Sequence, residues 1–236
     1  MLESVHFESA GRLLCGTLHR PSASGAPLVI GLHGLLSDRT SPKQLALAAR
    51  CIAGGLAYLR FDHRGCGESQ GDIATDTTFD GRCGDLVAAV AWVHGHISAG
   101  TPLGLFGSSY GGAVALAMGN RVKAQALVTV AAPVRSSTLG KAIADPVAPV
   151  VMKEPGFSQR VCFDITRRLK TLHHLLLFHG DRDAIVPISH AHEIFAAAQE
   201  PKRLCVQQNG DHRMSDPQHQ SHFIDVTAAW FADHLK

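Results

Sequence analysis

The sequence predicts an α/β fold built on a mostly parallel sheet with helices on both faces. Short apolar runs of strand length alternate with segments of helical periodicity along nearly the whole chain of 236 residues. Only an opening hairpin breaks that alternation. At Leu103–Gly112 a strand, a tight turn and a helix follow one another directly, with Gly107-Ser108-Ser109-Tyr110-Gly111 at the turn.

Taken in order, Ser4 to Glu8 and Leu13 to His19 read as two strands joined by a turn at Ala10-Gly11. Pro27 to Gly34 is a buried strand ending in a His-Gly turn. Leu45 to Cys51 reads as helix, and Leu56 to Asp62 as a strand that runs into the glycine-rich loop His63 to Asp72. Leu86, Val90 and Val93 mark a helix over Asp80 to His94. The strand–turn–helix stretch follows, and then a strand at Ala126 to Ala131. Residues 132–174 form a longer insert broken by Pro146, Pro149 and Pro155. A strand at Leu175 to His179, a helix at His190 to Ala198, a strand at Arg203 to Gln207 and an amphipathic helix at His222 to His234 complete the chain. The length suits one domain over 1–236, with the insert as a short lid.

A formal net charge of +2 gives no electrostatic case for nucleic acid or an anionic membrane as partner. The first residues lack a basic stretch followed by a long apolar one, and no apolar run approaches a membrane span. Six cysteines are scattered without a C-x-x-C pair, as expected of reduced thiols in the cytoplasm. Of the 15 histidines, the pairs His94/His96 and His190/His192 would point to different faces of a helix, and H-E-x-x-H is absent. No metal and no cofactor is expected. The oligomeric state, monomer or homodimer, is open at this point.

The chemistry is read from the strand ends, because reactive loops in such sheets gather beyond the carboxyl ends of the strands. Gly107-Ser108-Ser109-Tyr110-Gly111 fits G-x-S-x-G, and its setting makes Ser109 the expected nucleophile. A serine needs a base, and the base an orienting acid. Asp183, in Gly180-Asp181-Arg182-Asp183, is the expected acid, followed by an apolar run that would anchor it; Asp181 is the alternative. His212, in Asn209-Gly210-Asp211-His212, is the expected base. His219 and His222 lie too far into the terminal segment. The oxyanion donors are expected to be backbone N–H groups, that of Tyr110 after the nucleophile and that of Leu35 after the His33-Gly34 turn.

Together these pieces resemble the α/β-hydrolase superfamily over nearly the whole chain. The matching stretches are His33-Gly34-Leu35, Phe61 to Ser69, Gly107 to Gly111, His179 to Pro187 and Gly210-Asp211-His212. A serine nucleophile sets the chain apart from the dehalogenases and dienelactone hydrolases of that superfamily. The Arg64-Gly65-Cys66-Gly67-Glu68-Ser69 stretch and the moderate insert are similar to small bacterial feruloyl and cinnamoyl esterases. The resemblance implies a serine hydrolase cleaving small-molecule carboxylic esters of short-chain or aromatic acids. The same machinery would suit a thioesterase or peptidase, and a catalytically inactive binding module is the reading from another class. Val147, Val150, Val151, Met152 and Phe157 are expected to line one wall of the substrate pocket.

Overall fold

The computed structural model describes residues 1–23, 25–138 and 149–236. Strands β1 (Leu2–Ser9) and β2 (Arg12–His19) form the opening hairpin. Ser9 pairs with Arg12, so Ala10 and Gly11 make a two-residue turn. Both have positive φ, 47° and 74°, as the twist of a tight hairpin requires. β2 pairs antiparallel with β4 (Ala57–Phe61). β3 (Leu28–Leu32), β5 (Leu103–Ser108), β6 (Ala126–Val130), β7 (Leu175–Gly180) and β8 (Lys202–Gln207) run parallel to β4. The sheet order among the described residues is β1-β2-β4-β3-β5-β6-β7-β8, a mostly parallel sheet with the opening hairpin at one edge, as expected above.

The strands feed two apolar layers with a period of two. Leu28, Ile30 and Leu32 of β3, Leu103 and Leu105 of β5, and Leu175 and Leu177 of β7 face one layer. There they meet α3 (Phe79–His96) and α4 (Tyr110–Met118). Val29, Phe106, Leu176 and Phe178 face the other, against α1 (Pro42–Ala53) and α7 (Pro217–His234). Gly104 sits under the Phe231 ring of α7, where a Cβ would lie only 2.8 Å from ring carbon.

Two helices depart from expectation. A single turn, α2 (Ile73–Asp76), follows the glycine-rich loop; the Asp72 carboxylate accepts from the N–H groups of Ala74 and Thr75 and nucleates it. The last helix starts at Pro217, five residues before the expected His222. Asp216 caps it by accepting from Gln218 and His219, and proline suits the first turn. Its polar first turn hid the start from a reading based on apolar spacing.

The described parts of the insert are the 3₁₀ turns Ser136–Thr138, Val150–Lys153 and Thr166–Thr171, and α5 (Phe157–Arg160). Met152, Phe157, Val161, Phe163, Ile165 and Leu169 are buried in the α3/α4 layer. The Tyr110 hydroxyl donates to the Val161 carbonyl at 3.1 Å, and the Phe163 ring stacks on Phe79 with centroids 4.4 Å apart. Phe157, expected on a pocket wall, is fully buried, whereas Val150 is 77% exposed. Val147, also expected there, lies outside the described residues. The remaining helix, α6 (Ser189–Ala197), follows β7. Among the described residues no helix is long and apolar enough to cross a membrane.

Candidate active site

β5 ends at Ser108 and α4 begins at Tyr110, so Ser109 makes the turn by itself. It does so at φ 52° and ψ −119°, a conformation that costs a side-chain-bearing residue on the order of 1–3 kcal/mol. Its N–H donates to the Val130 carbonyl at 2.8 Å, and its carbonyl accepts from the Ala113 N–H at 3.1 Å. The flanking glycines are there for close approach. A Cβ on Gly107 would run into the Gly111 backbone, and one on Gly111 into the Leu32 and His33 carbonyls. α4 therefore starts in contact with the ends of both β3 and β5, and the Ser109 side chain is left partly exposed above it.

The loops carrying Asp183 and His212 meet through a second pair of glycines. A Cβ on Gly180 would strike the Gly210 backbone, and one on Gly210 would lie 2.9 Å from the Gln207 side chain. The N–H of Arg182 donates to the Gly210 carbonyl and that of Asp181 to Gln207, at 3.0 and 3.1 Å. In this frame His212 Nδ1 lies 2.7 Å from Asp183 Oδ2, and His212 Nε2 lies 3.0 Å from Ser109 Oγ. A carboxylate only accepts, so Nδ1 carries the proton and Nε2 is free to accept from the serine hydroxyl. Asp183 Oδ1 accepts from the N–H groups of Ile185 and Val186 at 2.9 and 2.8 Å. Burial by itself pushes the Asp183 carboxyl up. Hydrogen bonds from His179 and His212, electrostatic attraction to His212 and the Val186 N–H outweigh it and hold the group well below the usual carboxylate range. Of the two candidate acids, Asp183 is thus the one that reaches His212, while Asp181 is exposed.

The loop carrying Leu35 lies beside the serine: a Cβ on Gly34 would sit 3.8 Å from Ser109 Cβ. Its orientation is set by groups that sequence reasoning passed over. The Gly34 carbonyl accepts from His33 Nδ1 at 2.8 Å and from Arg82 Nη1 at 3.1 Å. His33 Nε2 accepts the His63 N–H, which places the His33 proton on Nδ1. A trans peptide is planar, so fixing the Gly34 carbonyl on one side fixes the Leu35 N–H on the other. Arg82 Nη2 also donates to the Leu35 carbonyl at 2.7 Å. Arg82 is fully buried on α3, with its guanidinium 5.3 Å from the Tyr110 ring centroid. It lies one turn before Leu86 on the apolar face of α3, and a charge on that face was the available signal. Arg64 donates twice to Asp85 Oδ1 and once to Ser9 Oγ, which ties its loop to α3 and β1.

A family model described as serine aminopeptidase, S33, matches residues 24–157. The chain belongs to this family of α/β-hydrolases. An uncharacterised protein of Mycobacterium tuberculosis is 30% identical over 209 residues, covering 86% of this chain and 69% of that one. Human ABHD12B is 25% identical over 193 residues, 76% of this chain and 52% of the relative. Among solved structures, an esterase of Pyrococcus furiosus superposes with a TM-score of 0.84 at 20% identity, covering 100% of this chain and 93% of that one. Est1E of Butyrivibrio proteoclasticus, bound to ferulic acid, superposes with a TM-score of 0.80 at 17% identity, covering 98% of each. These two likenesses are of fold.

Behind the Gly34 loop this α/β-hydrolase buries a polar cluster. His63 Nδ1 faces Asp85 Oδ2 at 3.3 Å, and both side chains are inaccessible. Burial, opposed by the Asp85 hydrogen bond, pushes His63 down to about 4. Burial and then the Arg82 charge hold His33 well below the ordinary histidine value. Both are neutral in the folded chain, whereas an unfolded histidine takes up a proton at about 6.5. Between those values the unfolded state binds more protons, so stability falls as pH drops. The melting temperature is expected to decline from about pH 6.5 toward pH 4, and a His63→Gln variant should show a shallower decline from a lower starting point. A wild-type melting temperature that stays level over this window would count against buried neutral histidines.

Proposed function

We propose that this chain hydrolyses carboxylic esters of short-chain or aromatic acids through an acyl-enzyme on Ser109. One observation carries the proposal: His212 is hydrogen-bonded at once to the Ser109 hydroxyl and the Asp183 carboxylate. As Ser109 Oγ attacks the ester carbonyl, His212 Nε2 takes its proton. Asp183 holds the ring and stabilises the imidazolium. The N–H groups of Leu35 and Tyr110 receive the charge on the carbonyl oxygen. His212 returns its proton to the departing alkoxide, leaving the acyl group on Ser109. Water then enters, gives a proton to His212 and attacks the acyl carbon; the acid leaves as Ser109 is reprotonated. Every proton in the cycle passes through His212.

Ser109→Ala is expected to lower kcat on the order of 10⁴–10⁶-fold with the fold intact, and Asp183→Asn by up to roughly 10⁴. Ser108→Ala should cost far less. Equal losses in the Ser108 and Ser109 variants, both folded, would remove Ser109 from its role.

Arg82 is a positioning residue in this scheme. Without its hold on the Gly34 and Leu35 carbonyls, the His33 Nδ1 bond alone keeps the peptide between them from turning its N–H away from the oxyanion. Arg82→Met should lower kcat about 10²-fold with little change in KM, and Arg82→Lys should recover part of the loss. A folded Arg82→Met enzyme with wild-type kcat would show that the loop holds itself.

The acyl preference rests on the insert. Met152 and Phe157 are packed into the core, which leaves Val150 and Val151 as modest apolar surface. That favours short or aromatic acyl groups over long chains, and the ferulic acid held by Est1E makes hydroxycinnamates the first aromatic class to try. Across p-nitrophenyl esters from acetate to palmitate, with methyl ferulate alongside, kcat/KM should be higher for the short and aromatic substrates; a preference for palmitate would refute the small pocket. The aminopeptidase description of the family makes amide cleavage the second reading. Amino-acid p-nitroanilides in the same assay decide between them.

A further inference from the structure

At the far end of α4 from Ser109 the surface opens into a cleft of about 390 Å³. Arg121, Arg167 and Arg168 line it, over a floor from the last turn of α4. Its two walls are tied together. The Asn120 amide donates to the Thr171 carbonyl and hydroxyl at 3.1 and 2.7 Å, and the Thr171 hydroxyl donates to the Arg168 carbonyl at 3.1 Å. Arg168 Nη1 donates to the Ala117 carbonyl at 3.0 Å, which caps α4, and lies 4.0 Å from Met118 Sδ. Among the described residues none of the three guanidiniums is in an ion pair. Asp164 feels Arg167 through space, but its Oδ1 is turned to Thr166.

This gathering is not the local share of a basic protein, because 22 Lys+Arg stand against 20 Asp+Glu in the whole chain. Three cations lining one hollow repel each other, and an anion placed among them removes that cost. The guanidinium fork matches phosphate oxygens in geometry and stays charged. A monophosphate carries about two negative charges at most near neutral pH, fewer than the three guanidiniums present. The cleft also shares Asn120 with a neighbouring one of about 530 Å³ lined by Lys123, Asp233 and Lys236 among others, which leaves room for the body of a larger molecule.

We propose that the arginine cleft binds a small ligand carrying a pyrophosphate or two closely spaced phosphates. The site does not depend on the chemistry proposed at Ser109, from which it is separated by eight residues of helix, about 12 Å along the axis. The phosphates are either free or carried on a nucleoside.

Calorimetric titration of the whole chain with inorganic pyrophosphate, ADP and sulfate, at matched ionic strength, tests this. Pyrophosphate should bind saturably at one site, at least about tenfold more tightly than sulfate. Arg121→Gln and Arg167→Gln should each weaken it about tenfold, and the double variant further. Both side chains are exposed, so the variants should melt without ligand no lower than wild type. ADP binding more tightly than pyrophosphate would assign the phosphates to a nucleoside reaching into the neighbouring cleft; equal or weaker binding would assign recognition to the phosphates alone. Ser109→Ala should bind pyrophosphate as wild type does, so failure of the ester chemistry and failure of this site are read separately. No saturable pyrophosphate binding, sulfate binding as tight, or undiminished affinity in the folded double variant would overturn the proposal.

Discussion

The close approach of α4 to the ends of β3 and β5 is the constraint on which the rest of the site depends. Gly107 and Gly111 allow it because neither has a Cβ to place in the gap. The approach forces the chain to reverse within one residue, and Ser109 takes the strained backbone that results. Such strain persists only where its surroundings over-determine it. Here a hydrogen bond to β6 on one side and a helix buried along its whole length on the other do so. The same geometry brings the free N–H groups at the start of α4 next to the Gly34 loop, so one packing contact brings together Ser109 and the two N–H groups proposed as oxyanion donors.

The second approach, Gly180 against Gly210, has the same logic at the neighbouring strand ends. β7 and β8 are paired, so their loops leave the sheet side by side, and removing two side chains lets them touch. Asp183 is buried by this contact yet remains ionised, because its oxygens are occupied by two backbone N–H groups and an imidazole. A carboxylate satisfied in this way is rigid as well as charged, and the ring it holds inherits that rigidity.

Arg82, His33, His63, Asp85 and Arg64 form a third feature, a polar cluster under the Gly34 loop. Burying so many polar groups is costly unless they satisfy one another. Most do, and the orientation of the Gly34–Leu35 peptide is what the network maintains. Among the described residues His63 Nε2 and Arg82 Nε have no hydrogen-bond partner.

The sequence by itself determined the order of the strands and of the longer helices, because periods of two and of about 3.6 are written into neighbouring residues. It also determined the turn at Ser109, since the glycines that permit it lie within the same five residues. The loops carrying Asp183 and His212 were legible as glycine-containing loops after strands. That His212 bridges Ser109 and Asp183 was decided by tertiary structure: His212 and Ser109 are 103 positions apart and meet because β8, β7, β6 and β5 lie side by side. The start of α7 was hidden because a polar capped turn carries no apolar spacing. Arg82 was hidden for a different reason. Its partners are carbonyl groups 47 and 48 positions away, and main-chain acceptors look the same in every residue, so only the packing of α3 against the end of β3 could reveal what that buried charge holds.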